Sequence, residues 1–203
     1  DGAGNGNTAN QLTVISDSTG PTVTLTSNAN TPHSGPFTVT ATLSEAVSGF
    51  VVGDVTIANG TASNFAGAGT TYTFDVTPTA DGAVTVDVGA GVAQDSAGNT
   101  NAAAAQLSVT TDSTVPTVTL TSNASTPQSG AFTVTATFSE DVTGFEIGDV
   151  TVGSGSASTF AATSASVYTF DVTPAADGAV TVDVAAGVAQ DSAGNNNTAA
   201  MQL

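Results

Sequence analysis

From Pro21 onward this chain says nearly everything twice. Thr22-Val23-Thr24-Leu25 returns as Thr117-Val118-Thr119-Leu120, Ser44-Glu45 as Ser139-Glu140, and Gly53-Asp54-Val55 as Gly148-Asp149-Val150, all at an offset of 95 residues. One residue is inserted between Phe160 and Tyr168, after which Tyr72-Thr73-Phe74-Asp75 matches Tyr168-Thr169-Phe170-Asp171 at an offset of 96. Self-similarity on this scale, within 203 residues, specifies two copies of one domain in series rather than one larger fold. The insertion marks a surface loop, where changes of length are tolerated. A shorter motif sets the frame: Asp95-Ser96-Ala97-Gly98-Asn99 comes back as Asp191-Ser192-Ala193-Gly194-Asn195, and Asp1-Gly2-Ala3-Gly4-Asn5 is a third copy.

Residues 1–16 read as the final strand of a preceding repeat, because Gln11-Leu12-Thr13-Val14 matches Gln106-Leu107-Ser108-Val109. The expected division is then repeat 1 over 17–111 and repeat 2 over 112–203, the latter with its last strand truncated. Asp17-Ser18-Thr19-Gly20-Pro21 and Asp112-Ser113-Thr114-Val115-Pro116 serve as linkers, since proline and short hydroxyl side chains favour extended chain between elements.

Within each copy the apolar period is two. Phe37, Val39, Ala41 and Leu43 alternate with Thr38, Thr40 and Thr42, and Val84, Val86 and Val88 with Thr85 and Asp87. Alternation carried by β-branched residues predicts strands with one buried and one wet face. The Ala102 to Ala105 run leads into such a strand at Leu107 and shows no sustained helical period. About seven strands per repeat, separated by Gly, Pro and Asn turns, predict an all-β chain: tandem immunoglobulin-like β-sandwich domains in a linear array. Neither Cys nor Trp is present, so strand count and period carry this expectation.

Charge narrows the function. The chain has 17 acidic residues, one His and no Lys or Arg, for a formal charge of −17. Nucleic acid and anionic membrane surfaces need basic patches, so neither is an expected partner. No apolar run is long enough to span a bilayer as a helix. Without Cys, Lys or Arg and with a single His, no nucleophile, base and orienting group assemble, and no enzyme is expected.

A domain in a linear array receives the chain at a leading pole and releases it at a trailing pole. The first strand, near Thr22 to Thr26, leaves the leading pole and the second, Phe37 to Leu43, returns to it, placing Glu45 there. Counting back from the last strand puts the Asp95 to Asn99 turn at the same pole and Asp81 at the trailing one. Repeat 1 should thus gather Asp17, Glu45, Asp95 and Asn99. Repeat 2 should gather Asp112, Glu140, Asp191 and Asn195, with Asp81 approaching from its neighbour and Asp141 and Asn197 as additional candidates. Oxygen donors of this kind repel one another unless a cation joins them, and Ca2+ suits them best because it takes about 6–8 oxygens at relaxed geometry. Magnesium demands a stricter octahedron, and zinc prefers the Cys and His that this chain lacks or nearly lacks. The same motif is also a good turn, with Asp capping backbone amides and Gly-Asn tolerating positive φ. Asp54 and Asp149 read mainly as turn residues, and Asp75, Asp87, Asp171 and Asp183 as solvated groups on outward strand faces.

The runs Phe132-Thr133-Val134-Thr135-Ala136-Thr137-Phe138-Ser139-Glu140-Asp141-Val142-Thr143-Gly144-Phe145, Gly148-Asp149-Val150-Thr151-Val152, Tyr168-Thr169-Phe170-Asp171-Val172-Thr173-Pro174 and Asp191-Ser192-Ala193-Gly194-Asn195 resemble the bacterial Ig-like repeats of giant secreted adhesins and biofilm-associated proteins. That resemblance implies an extracellular stalk projecting an adhesive tip from the cell surface, with calcium near the domain junctions limiting flexing. The total lack of Lys and Arg departs from it and raises a marine or halophilic source. Two rival readings remain at this stage. One is an end-to-end homopolymer in which one chain's N-terminal strand completes the next chain's final domain. The other is a glycan-binding module, which would need exposed aromatic platforms from residues such as Tyr72 and Tyr168.

Overall fold

The alternation of Val, Ala and Phe with Thr becomes paired strands. A computed structural model describes residues 11–203. Repeat 1 contains β1 (Val23–Ser27), β2 (Phe37–Val47), β3 (Val55–Ala58), β4 (Gly60–Pro78), β5 (Gly82–Val88) and β6 (Leu107–Thr111). Repeat 2 contains β7 (Val118–Ser122), β8 (Phe132–Phe138), β9 (Val150–Gly153), β10 (Gly155–Ala162), β11 (Val167–Pro174) and β12 (Thr181–Val184). No α-helix occurs among the described residues, and Ala102–Ala105 runs as irregular chain into β6.

Each repeat is a two-layer antiparallel sandwich. In repeat 1 the sheet β1-β2-β4 packs on β3-β5-β6; in repeat 2 the sheet β7-β8-β11-β10 packs on β9-β12. Register follows the hydrophobic pattern, since Val39 pairs with Phe74 and Ala41 with Tyr72 across β2 and β4, and Val84 with Val109 across β5 and β6. These inward residues are buried, and Val39, Ala41, Val76 and Val84 are completely so. Burying one face of a β-branched ladder against another supplies most of the driving force here.

Strand β4 accounts for the expected seventh strand. Gly67 and Gly69 take φ of +132° and +67°, and the Cβ that Gly60 lacks would stand 3.2 Å from both the Thr77 carbonyl oxygen and Val76 Cγ1. The ribbon therefore doubles back on itself as a hairpin. In repeat 2 the same stretch is resolved into two strands, with Ser156 opposite Thr173, joined by the exposed turn at 163–166. The extra residue of repeat 2 falls in this hairpin, the surface position its sequence implies.

Aromatic residues fill the leading half of each sandwich. Tyr72 meets Phe50 edge-on with centroids 5.0 Å apart, and Tyr168 meets Phe145 at 5.2 Å. The two hydroxyls donate to the carbonyls of Val47 and Val142 at 3.4 and 3.2 Å. They thereby fasten the segments that follow Glu45 and Glu140 to the core. Both tyrosines are buried, so neither forms the exposed platform that a glycan-binding reading requires.

The strand-face carboxylates depart from expectation, because they are not merely solvated. Asp75 accepts hydrogen bonds from Thr38 Oγ1 and Asn64 Nδ2, both at 2.8 Å, and these hold its carboxyl below the ordinary range. Asp171 accepts from Thr133 Oγ1, while Asp87 and Asp183 accept from the Nε2 atoms of Gln106 and Gln202. Period-two reading says which face a residue occupies and nothing about cross-strand partners.

Replacing Phe170, which is 1% exposed at the centre of repeat 2, by Ala should lower stability by about 3–5 kcal/mol. Urea denaturation would read this as a lower midpoint at unchanged slope; a loss under about 1 kcal/mol would mean that the core is not packed as described.

Candidate functional site

The leading pole of each repeat is built on the Asp-Ser-Ala-Gly-Asn turn. Asp95 is buried, and its Oδ1 accepts the backbone N–H groups of Ala97 at 2.8 Å and Asn99 at 2.9 Å. Its Oδ2 accepts from Asn99 Nδ2 at 2.8 Å. Gly98, at φ +91°, supplies the left-handed step that closes the turn. Repeat 2 reproduces this around Asp191, with the same three contacts from Ala193 and Asn195 and with Gly194 at +89°.

The same asparagines reach outward to the linkers. Asn195 Nδ2 also donates to the backbone carbonyl of Asp112 at 2.9 Å, and Asn99 Nδ2 to that of Asp17 at 3.3 Å. Each linker folds on its own aspartate, Thr19 N–H donating to Asp17 Oδ1 and Thr114 N–H to Asp112 Oδ1, both at 3.0 Å. One residue before β1 and β7, Thr22 and Thr117 donate their N–H groups to Ser44 Oγ and Ser139 Oγ at 3.0 Å. Linker, turn and the outer end of the second strand thus form one hydrogen-bonded unit.

This unit brings three carboxylates together in each repeat. Asp17, Glu45 and Asp95 each offer an oxygen within 4.8 Å of the others, and so do Asp112, Glu140 and Asp191. Asp81 is not in the trio. It reaches across from repeat 1 to the following linker, accepting from Ser113 N at 2.7 Å and Thr114 Oγ1 at 2.6 Å. Asn99 and Asn195 present their amide nitrogens to the trio aspartates, which makes them clamps on the carboxylates in this geometry. Asn197, an additional candidate ligand, is placed elsewhere. It is buried, with Oδ1 accepting from Val188 and Ala189 and Nδ2 donating to the carbonyls of Ala185 and Thr198. All its capacity is taken up by backbone, and Asn101 does the same in repeat 1. Asp141 is exposed outside the trio, and Asp54 and Asp149 cap short 3-10 turns through Val51 N–H and Glu146 N–H.

The electrostatics follow from this arrangement. Burial pushes the Glu45 carboxyl above its ordinary value, helped by the charges of Asp95 and Asp17. Burial does the same to Glu140, helped by Asp191, Asp112 and Asp81. The Asn99 amide, outweighing some desolvation, holds Asp95 below the ordinary range, and Thr114 and Ser113 do so for Asp81. Each pole therefore has pinned aspartates and one glutamate that resists ionising beside them. Such an all-oxygen donor set suits a hard divalent cation. Calcium with oxygens at about 2.3–2.6 Å spans oxygens about 5 Å apart, so the separations fit a single ion.

Sequence reasoning did not single out Ser113 and Thr114, the groups that tie Asp81 to the linker. The available signal was that Ser-Thr follows the linker aspartate in both copies.

A family model described as Bacterial Ig-like domain matches residues 17–111 and again 112–203. Among solved structures, the adhesin InvE of Yersinia pseudotuberculosis matches at 15% identity and a TM-score of 0.30, over 90% of this chain and 57% of that one. InvD of the same organism matches at 15% identity and a TM-score of 0.31, over 89% of this chain and 56% of that one. This chain spans a little over half the length of those two. No match was found among curated proteins.

The opposite shifts at each pole predict a stability maximum in mild acid when chelator is present. Glu45 and Glu140 bind protons more tightly when folded, so stability should rise as pH falls toward their ordinary 4.5. Asp95 and Asp81 bind them less tightly, so stability should fall once pH drops below 3.8. Thermal melts across pH would show this maximum, and Glu45→Gln with Glu140→Gln should flatten its alkaline side.

Proposed function

The chain belongs to the bacterial Ig-like domain family, and from that premise we propose that it serves as a calcium-stiffened extracellular stalk of a bacterial surface adhesin. Such a stalk extends a distal adhesive region for cell adhesion or biofilm formation. The observation that carries this reading is the convergence, in both repeats, of one linker carboxylate with two carboxylates of the domain that follows.

Asp17, Glu45 and Asp95 in repeat 1, and Asp112, Glu140 and Asp191 in repeat 2, would hold the ions. A bound calcium supplies the positive charge that this Lys- and Arg-free chain lacks and offsets the repulsion that raises Glu45 and Glu140. The chain's own groups do the rest. Asn99 and Asn195 hold the linker carbonyls against the turns, and Asp81 holds the second linker from the other side. A linker fixed to both domains turns two sandwiches in series into a rod, which is the mechanical property a stalk needs.

Calcium at about a hundred times its Kd should add about 2.7 kcal/mol per site, a rise in Tm of about 10 °C or more for domains of this size. Chelator should reverse it. Small-angle scattering should show an extended two-domain shape that loosens as calcium is withdrawn. Glu140→Gln together with Asp191→Asn should abolish the part of the rise that belongs to repeat 2. Identical melting and scattering with calcium and with chelator would sink the proposal and leave the two motifs as turns.

A further inference from the structure

The two ends of the chain carry complementary halves of one junction. The intact junction between the repeats shows what each half looks like when paired. There, β6 runs beside β5, with Val109 opposite Val84 and Thr111 opposite Gly82. Val109 and Thr111 are buried, and Thr111 Oγ1 donates to the carbonyls of Ala80 at 3.3 Å and Gly82 at 3.1 Å. The backbone of His33 flanks the strand, its N–H donating to Thr110 O and its carbonyl accepting from Asp112 N. Asp81 then grips Ser113 and Thr114.

At the trailing pole of repeat 2 the receiving half of this arrangement is open among the described residues. Leu203 exchanges both backbone hydrogen bonds with Val182, as Leu107 pairs with Val86 in repeat 1. Beyond that pair, Ala179 and Val180 are in no strand, whereas their counterparts Ala83 and Val84 lie within β5. Val180 and Phe132 are half-buried, while their counterparts Val84 and Phe37 are 0% and 3% exposed. A cleft of about 700 Å³ lies between the loop 124–130, which contains Gln128 in the place of His33, and the turn 173–180. Asp177 stands on that turn in the place of Asp81.

The donating half lies before repeat 1. Leu12, Val14 and Ile15 are 85%, 75% and 92% exposed, and residues 11–16 join no strand among the described residues. The matching segments are Gln11-Leu12-Thr13-Val14 and Gln106-Leu107-Ser108-Val109, followed by Asp17-Ser18-Thr19 and Asp112-Ser113-Thr114.

We propose that the trailing pole of repeat 2 binds residues 13–19 of a second copy of this chain, by strand addition along Gly178–Thr181. Thr13 takes up the ladder where Leu203 leaves it. Val14 enters the cleft opposite Val180, as Val109 sits opposite Val84 in the intact junction. Ile15 takes the outward position of Thr110. Ser16 brings a hydroxyl to the carbonyls of Ala176 and Gly178, and Asp177 accepts from Ser18 N–H and Thr19 Oγ1. Backbone hydrogen bonds along an open edge supply affinity, and the buried valine with the aspartate clamp fixes the register. The result is a head-to-tail contact that does not close on itself, so copies add in a line. The proposal does not depend on calcium.

Sedimentation and light scattering of the chain at rising concentration, with negative-stain microscopy, test this. The expected result is linear oligomers that are lost in Val14→Asp, a change at a side chain 75% exposed in the single chain and therefore harmless to its fold. Asp177→Ala should weaken assembly while leaving each repeat folded by circular dichroism. A variant with the sequence of residues 108–114 appended after Leu203 fills its own cleft and should stay monomeric. A synthetic peptide of residues 11–19 should bind Val14→Asp chains saturably and raise their Tm. A wild-type chain that stays monomeric at millimolar concentration, together with a peptide that does not bind, would overturn the proposal. So would oligomers that persist unchanged in the appended variant.

Discussion

Everything in this molecule answers to one constraint: 17 carboxylates with no Lys or Arg to pair with them. A carboxylate in a folded chain can be stabilised by a cation, by N–H and O–H donors, or by water and dissolved salt. This chain uses the donors throughout. Asp95 and Asp191 take backbone amides and an asparagine, Asp75 takes Thr38 and Asn64, and Asp87 and Asp183 take glutamines. Its richness in Thr, Asn and Gln is therefore the other side of its acidity. Donors of that kind are neutral, so they orient a carboxylate without cancelling its charge, and the net repulsion is left to screening that acts over about 8 Å at physiological salt.

Glu45 and Glu140 are the exceptions that point to a site. Neither is named as an acceptor by any side-chain or backbone donor at its pole, while the aspartates beside them are held ionised by such donors. A group left unsolved in a chain that solves the same problem repeatedly elsewhere is better explained by an external partner than by oversight of folding. The partner must be a cation, must accept oxygen and must tolerate irregular geometry, which is how the donor set leads to calcium.

Much of this was legible in the sequence because it rested on period and on counting. A period of two fixes strand faces, two offsets fix the repeats, and strand direction fixes the poles, so Asp17, Glu45 and Asp95 could be brought together without knowing the middle of the domain. What could not be read were the partners of polar side chains. Asn197 sits two residues from Asn195 in the same turn, yet one faces inward to backbone and the other outward to the linker. Nothing in the residue type separates them; the path of the backbone does. Asp75 likewise finds Asn64 only because the hairpin within β4 folds back at Gly67 and Gly69, a reversal that no proline or Asn-Gly pair announces.

The linker is where local chemistry becomes a mechanical property. Five residues between two sandwiches would normally swivel, because each free backbone torsion adds to the range of domain angles. Here Asp112 is held by its carbonyl to Asn195, Thr114 folds back on Asp112, and both Ser113 and Thr114 are held by Asp81 of the preceding repeat. The contacts from the two domains fall on three consecutive residues, so little chain is left to bend. Rigidity of this sort is cumulative in an array, since the tip displacement of a rod grows with every flexible joint along it. A repeat that carries both halves of a joint, one at each pole, can be extended indefinitely with the same stiffness, whether the next repeat belongs to the same chain or to another.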